Sequence, residues 1–284
     1  MFYFSMISCS SLGHRNYGRF GNQIFQYSLC KVLSILHDSS FFVNPDSHFL
    51  NFFDSNSMSY KKTDTFDSNQ YVEKDAFNFD ANILDQKDIN LIGFFQNLSY
   101  YEKLLPEIRQ ELRPNKIILN KSFKYIKDKI KTNNLEDTAC IHARRGDYEN
   151  LQNFYDILDI NYFEYIIEKI KPKYLFIISD NIQKIKQEFQ SIKNNIFLEK
   201  CFFVEELDVY QEFYIMYLCR HGIISNSSFS WWSKILSNEK NDKMIYLPYP
   251  WLKTSSIDHQ SIKLYPKNSI KINKSQIKWR KLFN

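Results

Sequence analysis

A chain of 284 residues with a net charge of +5 is long enough for two medium domains, each burying its own core. Its 25 Phe and 19 Tyr against 6 Gly and 7 Pro exclude a disordered or fibrous protein. The basic residues are dispersed, without the aromatic-interleaved run that a nucleic-acid groove requires, and no stretch approaches bilayer-spanning length. A cytoplasmic protein is expected, with peripheral membrane contact through a basic tail as the alternative.

Phe2 to Ile7 reads as a first strand, followed by a loop, Ser8 to Gly21, carrying Gly13, His14, Arg15, Gly18, Arg19 and Gly21. Phe25, Leu29, Val32, Leu33 and Leu36 then recur at helical spacing and predict an amphipathic helix from Asn22 to His37. A strand, a glycine-bearing loop and a helix N-terminus together favour an anion through unpaired amides and the helix dipole. The spacing is not Gly-x-Gly-x-x-Gly, and a merely structural turn fits it equally well.

Ser40 to Val43 reads as a second strand. Asn44 to Asn82 is polar and rich in Asp, Ser and Asn, so loops and short strands are expected there; Asp64 and Asp67 read as solvated carboxylates and not as a metal site. Ile89 to Phe95 predicts a strand, Tyr100 to Leu112 a helix stopped by Pro114, and Ser122 to Lys131 another helix. Asn133 to Asp137 is the expected linker.

The centre of the chain is an apolar run, Thr138 to Ile141, that ends abruptly in His142, Arg144, Arg145, Gly146 and Asp147. A buried strand delivers charged groups to a sheet edge in this way, and two guanidiniums suit an anion with several oxygens. A solvated arginine pair and an adhesion tripeptide, Arg145-Gly146-Asp147, are the competing readings. Helices at Asn161 to Lys171, Ile182 to Phe189 and Val209 to Arg220 alternate with strands at Tyr174 to Ile178 and around Ile196, with Asp208 as N-cap and Gly222 just past a helix end. That alternation predicts a parallel sheet covered on both faces. The strand beginning at Gly222 runs into Asn226, Ser227 and Ser228, whose donors would face the same crevice as Arg144. Met244 to Leu247 adds a strand, and the residues after Ser269 read as a basic, helical tail. Cys9, Cys30, Cys140, Cys201 and Cys219 are spaced as reduced thiols and not as a metal knuckle.

At three places the sequence resembles the α1,2-fucosyltransferase family: His142-Ala143-Arg144-Arg145-Gly146-Asp147-Tyr148, Gly18-Arg19-Phe20-Gly21-Asn22-Gln23 with Phe25-Gln26-Tyr27, and Asn226-Ser227-Ser228-Phe229-Ser230-Trp231-Trp232. Phe94-Phe95-Gln96 and Ser179-Asp180-Asn181 are weaker landmarks. The loop from Ser8 to Tyr17 is longer than the family's usual lead, and Gly18-Arg19 stands where Gly-Gly or Gly-Leu is usual. The resemblance implies an α/β fold of GT-B architecture, with two Rossmann-like domains facing across a cleft. Residues 1–136 would form the acceptor-side domain, 137–255 the GDP-fucose-binding domain and 256–284 a tail packing back.

It also implies transfer of L-fucose from GDP-fucose, with inversion and without a metal or other cofactor, to a glycan acceptor, O2 of a terminal galactose being the expected position. Arg144 would take the charge of the departing diphosphate, with His142, Asn22 and Asp147 as further catalytic candidates. Gly21, Gln23, Arg145, Tyr148, Asp180, Asn226, Ser227, Ser228 and Phe229 are the expected substrate-binding residues, although Arg145 and Asp147 also fit a role in holding the arginine loop. His14, Asp147, Glu149 and Glu102 are unranked candidates for a general base. A fucosyltransferase of other linkage or with a protein acceptor, and a noncatalytic glycan- or nucleotide-binding protein, are the alternatives.

Overall fold

An amphipathic segment needs a surface to cover, and the first helix, α1 (Phe20–Leu36), buries Ile24, Phe25, Tyr27, Leu29, Val32 and Leu33. The structure is a computed structural model that describes residues 20–43, 47–62, 69–146, 148, 151–190, 200–237, 243–253, 262–275 and 277. The strand expected at Phe2 to Ile7, the loop from Ser8 through Arg19, Asp64 and Asp67 lie outside them. The chain divides into two units, Met1–Lys116 with Gln260–Leu264 and Ile117–His259 with Tyr265–Asn284.

In the first unit α1 is pinned by Tyr27, whose ring meets Phe41 and Phe49 edge-on and whose hydroxyl donates to buried Glu111 at 2.6 Å. Two short parallel pairs accompany it, β1 (Phe42–Val43) with β2 (Lys61–Lys62), and β3 (Asn69–Val72) with β4 (Ile89–Ile92). Asp54, Asp80 and Asn97 each accept an amide two residues on and start 3-10 turns, the local bonding that makes Asp- and Asn-rich chain turn instead of extend. The helix expected from Tyr100 is shorter for a related reason. Asn97 begins 3-10 turns that run to Leu104, and α2 (Leu105–Glu111) starts only where Pro106 occupies its first turn.

The second unit begins in α3 (Lys116–Ile130), six residues earlier than its apolar pattern suggests. This helix was expected in the first domain. It counts with the second because Ile126 and Ile130 pack with Cys140, Phe176 and Ile215, and Ser122 donates to the Gln211 carbonyl at 3.1 Å. Then β5 (Thr138–Ala143), α4 (Ile160–Ile170), β6 (Tyr174–Ser179), α5 (Ile182–Gln190), β7 (Cys201–Phe203), α6 (Val209–Leu218), β8 (His221–Ile224), α7 (Ser228–Leu236), β9 (Ile245–Tyr249) and β10 (Ser269–Asn273) follow in order. The strand expected around Ile196 falls outside the described residues, and β7 stands at 201–203.

All six strands are parallel, in the order β10-β9-β8-β5-β6-β7. Numbered from one in chain order this reads 3-2-1-4-5-6 from the β7 edge, the doubly wound dinucleotide-fold order. Ala139, Ile141 and Ala143 face one core with α4 and α5, while Cys140 faces the other with α3 and α6, the period-two alternation of a sheet covered on both sides.

Two expectations are corrected here. The segment after Ser269 is an edge strand and not simply a helical tail: Ile272 is buried against the sheet core, and β-branched Ile270 packs on it. Gly222 lies inside β8 instead of capping α6. A Cβ there would stand 2.8 Å from Lys234 Cγ, and buried Lys234 reaches past it to donate to the carbonyls of Met216 at 3.0 Å and Cys219 at 2.5 Å. Lys234 therefore satisfies with its amino group two carbonyls at the α6 C-terminus. Asp208 does cap α6, accepting from Gln211 N at 2.8 Å.

Candidate active site

Strand order reverses between β5 and β8, so the chain leaving each diverges and opens a crevice at their carboxyl ends. Arg144 leaves β5 there, and Ser225 and Asn226 leave β8. Ser225 ties the two strands, its hydroxyl donating to His142 O at 2.8 Å and accepting from Arg144 N at 3.2 Å.

The two arginines separate as adjacent residues of an extended chain do. Arg144, 14% exposed, pairs with Asp180 Oδ2 at 3.2 Å and sets its guanidinium over the Tyr148 ring at 5.4 Å. Arg145 is 1% exposed and turned inward. Its Nε and Nη2 donate to both oxygens of Glu188 at 3.0 and 2.7 Å, and further donors reach Arg144 O at 2.9 Å and Leu158 O at 2.8 Å. Expected among the substrate-binding residues, Arg145 instead spends its donors on the protein and stakes the loop, which is the other role the sequence allowed it.

Asp180 at the end of β6 serves both arginines, since its Oδ1 accepts from Arg145 N at 2.7 Å. A Cβ on Gly146 would stand 2.6 Å from Asp180 Oδ2, so glycine is what lets the loop close on that carboxylate. Expected to bind substrate, Asp180 is placed as the partner of Arg144, an anion steering a cation. His142 is buried: it is 2% exposed, meets Ser230 Oγ through Nδ1 at 2.8 Å and lies against the Phe229 ring at 5.7 Å. Burial first, then the Arg144 charge, pushes its pKa down to about 3, so the ring is neutral and a weak base.

Tyr148 donates its hydroxyl to Asn226 O at 2.5 Å and stacks on Tyr155. Asn226 donates through Nδ2 to Trp251 O at 3.0 Å, which leaves its buried Oδ1 without a hydrogen-bond partner among the described residues. Ser227 stands at the N-cap of α7 without a side-chain cap bond; Ser228 opens the helix, and Phe229 packs on Phe213. Asp147 and Glu149, with His14, lie outside the described residues, and Glu102 is exposed on a 3-10 turn.

In the first unit Asn22 lies in the first turn of α1, and its Oδ1 accepts from Gln96 Nε2 at 2.7 Å. Gly21 beside it is buried and Gln23 half-buried. One turn on, Gln26 donates to Gly93 O at 2.7 Å. The motif at α1 and the landmark Phe94-Phe95-Gln96 are thus brought together.

The family model described as Glycosyl transferase family 11 matches residues 13–268. The chain belongs to this family. An alpha-1,2-colitosyltransferase of Escherichia coli is 28% identical over 179 residues, 60% of this chain and 58% of that protein. The O-antigen biosynthesis glycosyltransferase WbnK of Escherichia coli is 27% identical over 124 residues, 40% of this chain and 39% of that protein. The aligned stretches thus span under two thirds of either relative's length.

Among solved structures, POFUT1 in complex with GDP-fucose aligns with a TM-score of 0.52 at 14% identity, covering 87% of this chain and 96% of that one. The fucosyltransferase NodZ from Bradyrhizobium gives 0.51 at 10% identity, covering 82% and 91%. The fold of this family 11 member is accordingly that of the GT-B fucosyltransferases. Among the described residues no three His, Cys, Asp or Glu gather as metal ligands, and no helix is long and apolar enough to cross a membrane.

Four residues near these clusters escape sequence reasoning. Ser225 and Glu188 are known only through their partners, and no local pattern marks them. Glu73 is pushed up to about 7, chiefly by burial, against the pull of the Phe95 and Phe94 amides. Glu212, in the first turn of α6, is pushed up to about 7 by burial, then by the charges of Asp208 and Asp180. Its place in a turn that opens on the carboxyl edge of the sheet is the signal that could have found it.

Proposed function

We propose that the chain transfers L-fucose from GDP-fucose to a hydroxyl of a glycan, O2 of a terminal galactose, with inversion and without a metal. One observation carries the reading: a guanidinium held at the strand-order reversal by a carboxylate and an aromatic face, on a backbone tied to Ser225, while its neighbour is wholly committed to the protein. As the sugar–phosphate bond breaks, negative charge gathers on the diphosphate and positive charge on the ring. Arg144 is already aimed and does not reorganise when that charge appears, the condition under which a donor contributes most.

Asn226 Oδ1, with no hydrogen-bond partner among the described residues, is an acceptor for a hydroxyl or amino group of the nucleotide, and the Ser227 hydroxyl and the α7 N-terminus suit its phosphate oxygens. Asn22 offers a neutral amide to the reacting sugar. Fucose, O2 linkage and the GDP carrier draw support from the family, from the relative named an alpha-1,2-colitosyltransferase and from solved GDP-fucose complexes of the same fold.

The test is GDP release from GDP-fucose with and without galactose-terminated acceptors, in the presence of a metal chelator, followed by linkage analysis of the product. Acceptor-dependent release that withstands the chelator and yields a 1,2 bond is expected. Absence of release under every condition would favour a noncatalytic binder, and another bond would redirect the acceptor. The colitosyl relative favours one second reading, colitose in place of fucose, and the two donors assayed side by side separate them.

A further inference from the structure

We propose that Glu73 is a positioning residue that aims Asn22 by clamping the turn Gly93 to Gln96; this rests on the reading that Asn22 serves the transfer. The strands β3 and β4 end together at the pair Val72 and Ile92, and Glu73 N carries the pairing one step further by donating to Ile92 O at 2.8 Å. Its side chain then folds over the end of β4. Phe94 N donates to Oε2 at 2.6 Å, and Phe95 N reaches Oε1 at 2.9 Å and Oε2 at 3.0 Å.

Two features of the turn fit it to this carboxylate. A Cβ on Gly93 would stand 2.4 Å from Glu73 Cβ and 2.6 Å from Oε2. Phe95 holds φ at 53°, a conformation a bulky residue adopts only when its surroundings impose it, and successive amides so turned converge on one anion. The next residue, Gln96, is fixed by its amide on Ala76 O at 2.9 Å and passes its side chain to Asn22. Asn22 and Gln26, four apart on one face of α1, thus hold the two ends of a turn whose middle is held by Glu73.

Both carboxylate oxygens accept only while Glu73 is ionised, because a protonated oxygen presents a hydrogen to a donor. Asp75 beyond β3 acts on it, and it acts in turn on Tyr71 within β3 and on Tyr100 and Tyr101 from the 98–104 turns. The charge of Asp75 opposes that of Glu73, whereas the three tyrosines, held protonated chiefly by burial, are neutral where Glu73 titrates. Lys74 acts on Asp80. With burial added, the carboxyl titrates at about 7. The turn is therefore fully clamped above that pH and loosened below it.

The experiment pairs rates with amide exchange. Wild-type kcat is expected to fall on the acid side with a midpoint near pH 7, and exchange across 93–96 to quicken over the same range. Glu73→Gln should remove that limb and lower kcat about tenfold at pH 8 with KM for the donor unchanged, its melt remaining cooperative. Gln96→Ala should lose as much, and the double variant no more than Gln96→Ala alone, since both act on Asn22 through one path. Multiplying losses, or exchange across 93–96 that ignores both pH and Glu73→Gln, overturns the proposal. Wild-type turnover by Asn22→Ala overturns it by a different route, with the role given to Asn22, whereas a dead Asn22→Ala beside multiplying losses removes Glu73 alone.

Discussion

At the carboxyl edge of the second unit's sheet the polar cluster is built of full charges, Arg144 on Asp180 and Arg145 on Glu188. At the start of α1 in the first unit it is built of amides, Asn22, Gln26 and Gln96, around a turn held by one half-buried carboxylate. Fixed charge suits a group whose own charge grows during reaction, such as a departing diphosphate. Neutral amides suit hydroxyls and sugars, which need direction and no compensation. The contrast is open to test at several residues.

The largest effect is expected within the charged cluster, at the residue that does no chemistry. Arg145→Ala leaves Glu188, 27% exposed, to be solvated and removes the donors that hold Leu158 O and Arg144 O, a loss of about 2–5 kcal/mol for two carbonyls left without these donors. The melting temperature should drop by roughly 10 °C. A melt that stays put would show that the inward arginine is no stake. Arg144→Ala should do the reverse. Its pair with Asp180 is partly exposed and contributes little to stability, so the melt holds while turnover falls about 100- to 1000-fold. Arg144→Lys should restore little of it, since an ammonium lacks the planar fork.

Gly146→Ala comes next. Its new methyl must displace Asp180 Oδ2, so the anion that aims Arg144 moves while both arginines remain. Turnover is expected to fall about tenfold with the melt lowered only slightly. Full activity would show that Arg144 keeps its aim without Asp180.

These residues also show what the sequence makes legible. The second unit is read nearly element by element, because β5 and β6 are apolar runs and α6 is announced by Asp208, which caps as its position predicts, while the Asp159 cap of α4 goes unread. The first unit resists. Its strands are two to four residues long, and its turns are started by Asp54, Asp80 and Asn97, side chains that look like ordinary surface polarity. In the site, a motif shows that Arg144 and Arg145 matter and leaves their division open, because the partners that decide it, Asp180 and Glu188, are 36 and 43 residues away. His142 misleads for the opposite reason. Its position two before Arg144 is correct, and burial has neutralised it.

The smallest effect is a matter of pH and belongs to Glu212. Its folded pKa of about 7 stands above the usual 4.5, so between those values the folded chain holds a proton that the unfolded chain has released. Stability from this group is therefore complete below about 4.5 and lost as pH rises through 7. His142 works in the other direction: held near 3, it contributes stability above about 6.5 that is lost as pH falls. Thermal melts between pH 5 and 8 should thus decline on the alkaline side, and Glu212→Gln should flatten part of that decline while changing little at pH 4. Glu73 carries the same sign in the first unit and adds to the decline. If Glu212→Gln leaves the slope untouched, Glu212 is ionised throughout, and the carboxyl edge would set a full negative charge beside Asp180 at neutral pH. That would weaken the pull of Arg144 on a diphosphate and, with it, the contrast between a cationic edge and a neutral one.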